Sequence, residues 1–151
     1  MKKSILSMAA CIMVLVMFSS FTMVSTESFK TSKASALSKS PVTFLTSATS
    51  ISESPTGFIF LGTVTATGAI NASGTYWMDV EFHGKSALHC VLVLTLPNGT
   101  ITMRMNCNMM TGLGRWQVLD GTGSYQTLKG QGPLVMPNDI EEILTGTVSG
   151  L

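Results

Sequence analysis

From His89 to Cys107 the chain reads HCVLVLTLPNGTITMRMNC, two apolar alternating runs on either side of Asn98-Gly99. Asn-Gly is the strongest short-range hairpin signal, because both residues tolerate the positive φ that a type I′ turn demands. Folding about that pair sets Leu96 opposite Ile101, Leu94 opposite Met103, Leu92 opposite Met105 and Cys90 opposite Cys107. Every pair on this face is apolar. The other face carries Val91, Val93 and Thr95 against Thr100, Thr102, Arg104 and Asn106 and is mixed to polar. Strand side chains alternate between faces, so the pattern specifies a half-buried hairpin. Pro97 lacks the donor for the first ladder bond. Opening the turn into a longer loop keeps the same centre of symmetry, and so the same pairs.

The same counting applies to the cysteines. Cys90 and Cys107 fall in the non-hydrogen-bonded series, where Cα atoms approach to about 4.5 Å, at the near end of the range a disulfide accepts. A cross-strand disulfide is therefore expected if the chain is exported, and two buried thiols facing each other otherwise. The third cysteine, Cys11, lies in the N-terminal apolar segment.

That segment opens Met1-Lys2-Lys3 and runs apolar from Ile5 to about Val24. A basic start followed by an apolar run is a secretory signal, and Ala34-Ser35-Ala36 offers a small-residue cleavage site. Residues 1–36 are read as signal and cleavage region, and the protein as secreted. The alternative is an uncleaved anchor, since the run nearly spans a bilayer. Membrane contact is then expected only through this segment. Residues 37–56, rich in Ser and Thr, read as a linker, with Val42 to Leu45 as a weaker strand candidate inside it. The globular domain is placed at 57–151.

Charge excludes one class of partner. From Gly57 onward the bases Lys85, Arg104, Arg115 and Lys129 are outnumbered by Asp79, Glu81, Asp120, Asp139, Glu141 and Glu142. With no basic stripe to track phosphates, nucleic acid is not an expected partner.

Strand signals recur along the domain. Gly57 to Thr67 is β-branched and aromatic. Thr75 to His83 alternates strictly, with Tyr76, Met78, Val80 and Phe82 on one face. Arg115 to Leu119, an interrupted Tyr125 to Val135 and Ile143 to Val148 follow, separated by Gly-rich or Pro-Asn turns. Short, evenly spaced strands without helical periodicity indicate an all-β barrel or sandwich.

Several residues invite a chemical reading. Asp79, Glu81 and His83 share the polar face of one strand and are the candidate acid/base or metal-ligating set. Strict alternation alone also produces such a face as plain solvated surface, so no metal site is assigned. His89 and Cys90 are adjacent in a strand and point to opposite faces, which rules against a Cys–His catalytic pair. Gly121-Thr122-Gly123 lacks the following Gly-Lys of a phosphate loop. Gly114-Arg115-Trp116 shares Gly-x-Trp with lipocalins, but here it sits in the last third of the chain instead of opening the barrel.

The stretch from Gly114 to Gly132, GRWQVLDGTGSYQTLKGQG, combines a strand, a Gly-Thr-Gly turn, an aromatic at Tyr125 and a further glycine at Gly130. It resembles the allene oxide cyclase and dirigent barrels, and is most similar to small secreted bacterial proteins of that barrel type. The resemblance implies a small antiparallel eight-stranded barrel with an apolar cavity. It implies no catalytic residues, because the shared motif is structural, and no cofactor is expected.

The functional expectation is a secreted, non-enzymatic barrel that binds a small apolar ligand or serves as a surface interaction module. Its ligand face is assigned to Leu92, Leu94, Met103, Met105 and Trp116. Flexible Met and Leu side chains favour a small residual pocket over a solid core. The alternative is an isomerase or cyclase of the allene oxide cyclase kind, acting on a lipid-like substrate. That reading requires an acid or base pointing inward.

Overall fold

A computed structural model describes residues 38–151. The signal, cleavage-site and anchor expectations lie outside these residues. The described chain forms eight strands: β1 Ser40–Ser54, β2 Gly57–Gly68, β3 Ala72–His83, β4 Ala87–Leu96, β5 Gly99–Asn108, β6 Leu113–Gly121, β7 Lys129–Val135 and β8 Glu141–Ser149. Each pairs antiparallel with the next, and β8 returns to β1, so the sheet is a closed barrel without an open edge. Closure removes the unpaired backbone groups that an edge strand exposes. Among the described residues no helix is long and apolar enough to cross a membrane.

The linker expectation for residues 37–56 does not hold for β1. Val42, Phe44 and Thr46 alternate into the core, and the strand pairs with both β2 and β8. Abundant Ser and Thr masked it. Thr is β-branched and suits a pleated, half-buried surface, so a Ser/Thr-rich segment with inward apolar positions is still a strand.

The central hairpin also differs from its expected register. The observed pairs are Leu96↔Gly99, Leu94↔Ile101, Leu92↔Met103, Cys90↔Met105 and Leu88↔Cys107. The two loop residues are therefore Pro97 and Asn98, not Asn98 and Gly99. No non-glycine residue in the described chain has positive φ, which excludes the type I′ turn. Pro97 supplies the fixed negative φ favoured at the first loop position, and Gly99 takes the unusual conformation just after it, at φ 142°. The register moves by an even number of residues, so every side chain keeps its expected face.

This turn packs against a second motif. The Thr100 N–H donates to Thr122 Oγ1 at 2.9 Å, and the Thr122 N–H to the Thr100 carbonyl at 2.9 Å. The Ser124 N–H donates to the Asn98 carbonyl, also at 2.9 Å. Both glycines are required for the approach. A Cβ at Gly99 would stand 2.1 Å from the Thr122 carbonyl oxygen, and one at Gly123, where φ is 60°, would stand 2.2 Å from that of Asn98. Tyr125, in the short 3-10 turn Gly123–Tyr125, is buried beneath them with Leu128. The two motifs read separately in the sequence thus seal one end of the barrel together.

Above the seal the interior is filled. Trp116 lies edge-on to Phe44 with ring centroids 5.8 Å apart, and its indole N–H donates to the Thr145 carbonyl at 2.9 Å. A Cβ at Gly146 would stand 2.7 Å from the Trp116 ring, so this glycine makes room for it. Leu92, Leu94, Ile101, Met103 and Leu144 complete the layer with no exposed surface. An eight-stranded barrel is just wide enough for such filling.

Candidate functional site

The opposite end, where the β1–β2, β3–β4, β5–β6 and β7–β8 connections gather, is not filled. A cavity of about 190 Å³ opens there. Phe58, Phe60 and Phe82 form an aromatic lip on one side, with Phe58 edge-on to Phe82 at 5.7 Å and to Phe60 at 6.5 Å. Met109 and Met136 stand among the other lining residues, and Met78, Val80, Cys90, Met105, Cys107 and Leu134 line the buried wall. The lip is possible because β1 and β2 continue past the last β1–β8 pair, Ser47↔Glu141, out to Ser54↔Gly57.

Two carboxylates line it, Asp139 exposed at the rim and Glu142 buried within. Glu142 on β8 is the register partner of Thr46 on β1, and both side chains point inward. Glu142 is only 4% exposed, and the Thr46 hydroxyl donates to its Oε2. Burial pushes the Glu142 carboxyl above the usual glutamate value, and the Thr46 hydrogen bond partly restrains that shift. The Tyr76 hydroxyl is buried and has no hydrogen-bond partner among the described residues. Burial, and then the nearby Glu142, raise its pKa beyond the ordinary tyrosine range. A protonatable carboxyl thus lines a largely apolar chamber, with the Tyr76 phenol near it but outside the lining. Chemically, Glu142 can donate a hydrogen bond to a polar atom on a ligand or move a proton.

Cys90 and Cys107 line the same wall as free thiols, 4.4 Å apart. The register shift explains why they are not directly opposed: Cys90 faces Met105, and Cys107 faces Leu88. Contact with the Cys107 thiol, then burial, pushes Cys90 far above the ordinary thiol range, while the Cys90 contact lowers Cys107 against the opposing effect of its own burial.

Of the ligand residues expected from the sequence, Met105 lines the cavity. Leu92, Leu94, Met103 and Trp116 also point inward, but they belong to the filled layer and do not line this cavity. Asp79, Glu81 and His83 are not in the chamber. They alternate outward on β3, with Asp79 half-buried and the other two exposed. His83 lies 3.6 Å from Glu81 and stacks on His89 at 4.0 Å, a surface cluster on the outside of the wall. Among the described residues no group of three or more His, Cys, Asp or Glu side chains is arranged to hold a metal.

Glu142 and Thr46 were missed for definable reasons. The sequence pattern starts the last strand at Ile143, two residues after its observed start at Glu141. Glu142, Leu144 and Val148 share one strand face, and extending the pattern back from Leu144 would have turned Glu142 inward. Thr46 was hidden in the presumed linker.

Fold and cavity define a class: a small closed antiparallel β-barrel, sealed at one end and carrying an apolar mouth at the other. No protein-family model and no curated protein matches the chain. A solved structure described as pyocyanin demethylase is similar at 11% identity and a TM-score of 0.46, over 74% of this chain and all (100%) of that one.

Proposed function

We propose that the barrel binds a small, largely apolar molecule at its mouth and is not itself a catalyst. The observation that carries this is the pairing of a filled middle with an apolar cavity that retains one buried carboxyl. The cavity volume of about 190 Å³ is comparable with the roughly 150 Å³ engineered apolar cavity that accepts benzene. A single ring or a short aliphatic chain fits, with a donor or acceptor directed at Glu142. A long acyl chain exceeds the enclosed space, which disfavours the lipid cyclase alternative drawn from the allene oxide cyclase resemblance. In this reading the chain is exported, on the strength of Lys2-Lys3 and the apolar run that follows, and the barrel acts outside the cell.

The test is a titration of the protein with toluene and with phenol, followed by amide and methyl NMR. Shifts should concentrate at Phe58, Phe82, Met105 and Met109, with phenol binding more tightly through its hydroxyl. Phe82→Ala should weaken both. Shifts confined to the outer wall around His83 and His89, or none at millimolar ligand, would overturn the proposal. The isomerase reading keeps one observation in its favour, the buried Glu142 beside Tyr76. It requires turnover of an added substrate that Glu142→Gln abolishes.

A further inference from the structure

We infer that the wall of the mouth also holds a site for a soft monovalent metal ion, Cu(I) or its analogue Ag(I), gripped by Cys90 and Cys107 and supported by thioethers. The register places Cys90 directly across from Met105, with Cys107 two residues further along the same inward face of β5. Met78, Met109 and Met136 line the same cavity, so two thiols and four thioethers surround one small space. The cysteines are 4.4 Å apart and unbridged. Two metal–sulfur bonds of about 2.3 Å each are long enough to span such a gap.

The wall also leaves the sulfurs accessible from within. On β6 the partner of Cys107 is Gly114, where a Cβ would stand 2.6 Å from that of Cys107. The flank of Cys107 is therefore bare of side chain.

The donor set selects the ion. Thiolate and thioether ligands favour Cu(I), whereas carboxylates and carbonyls favour Mg²⁺ and Ca²⁺. Structural Zn²⁺ wants four Cys, His or carboxylate ligands in a tetrahedron. No such cluster of even three exists among the described residues. On binding, the thiol protons leave to solvent and the metal takes their place, with no change of oxidation state. This site does not depend on the apolar ligand.

The experiment is an anaerobic titration of the reduced full-length protein with Cu(I) against a coloured chelator, followed by X-ray absorption at the copper edge. The expected result is one equivalent of tightly held Cu(I) with a shell of sulfur alone. Cys90→Ser and Cys107→Ser should each lower the affinity by about 100-fold or more, the upper end of what losing even an outer partner costs a metal site. Met105→Leu should have a smaller effect. Unchanged amide shifts of Thr100, Thr122 and Ser124 at the far, sealed end in the cysteine variants would show that the fold is kept and metal loss is local. A nitrogen or oxygen shell overturns the inference, as does equal affinity in wild type and the double cysteine variant. A Cys90–Cys107 disulfide that resists reduction in the folded protein does the same. Should the variants fail to fold, the absorption spectrum of the wild type decides alone.

Discussion

The two ends of the barrel solve opposite problems with the same eight strands. At the sealed end, two turns meet backbone to backbone. Three hydrogen bonds of 2.9 Å join Asn98 and Thr100 to Thr122 and Ser124, and glycines stand where any side chain would collide. At the mouth, the turns diverge, β1 and β2 overrun their neighbours, and side chains line a space without filling it. The contrast shows how a narrow barrel accommodates a cavity. Cohesion is concentrated in the Trp116 layer and the plug, which leaves room for a cavity at the mouth. Regions that bind and move come from the less stable part of a fold.

The largest expected effect tests that division directly. Trp116→Ala removes a fully enclosed indole and should cost about 3–5 kcal/mol. Phe82→Ala, at a ring 45% exposed on the lip, should cost under about 1 kcal/mol while abolishing much of the mouth's affinity. Urea denaturation of both variants checks the pair. Similar losses would erase the distinction between a structural end and a functional one.

A second effect of intermediate size belongs to Glu142. Its carboxyl titrates above the usual glutamate value in the folded barrel, so below the unfolded value both states hold the proton and no penalty arises. As pH rises through the folded value, the native state must bury a charge that the unfolded state solvates, and stability falls. Glu142→Gln should flatten this part of the pH profile. At pH 8 it should raise the melting temperature by several degrees, since roughly 1 kcal/mol moves a domain near 100 residues by about 4–8 °C. Thermal melts of both proteins from pH 4 to pH 8 measure it, and a wild-type stability that rises with pH over this range would refute the assignment.

The smallest effect lies outside both ends. Glu81→Ala and His83→Ala remove an exposed pair 3.6 Å apart on the outer wall. Each should change stability by no more than about 0.5 kcal/mol and leave ligand affinity untouched. A larger loss in denaturant melts would mean that the outer face supports the mouth.

Much of the architecture was legible because alternation is a local property. The inward sides of β3, β4 and β5 follow directly from period-two apolar runs, as does the anchoring of Tyr125 below its Gly-Thr-Gly turn. The exact register was not legible. Asn98-Gly99 and Pro97-Asn98 are both good turns, and the choice between them rests on Thr122 and Ser124, more than twenty residues away. The site was less legible still. Its carboxyl is recognisable only once Thr46 is known to lie beside Glu142, and β1 had the composition of a linker. The candidates chosen from the sequence, Asp79, Glu81 and His83, share the polar face of β3, and the apolar run Tyr76, Met78 and Val80 on the other face already turns them outward.

The pairing of β1 with β8 has a kinetic meaning. The Thr46–Glu142 hydrogen bond joins residues 96 positions apart, while every other strand pairs with its immediate successor. Contacts between distant residues bear the full entropy of loop closure and tend to form late. Seven strands can zip up as a meander during synthesis, but the seam must wait until β8 is available. The buried carboxyl of the mouth is assembled at that seam, so an incomplete or truncated chain has hairpins and a partial core but no site. Competence to bind is thereby tied to completion of the fold, and the perturbed titration of Glu142 reports on when the barrel has closed.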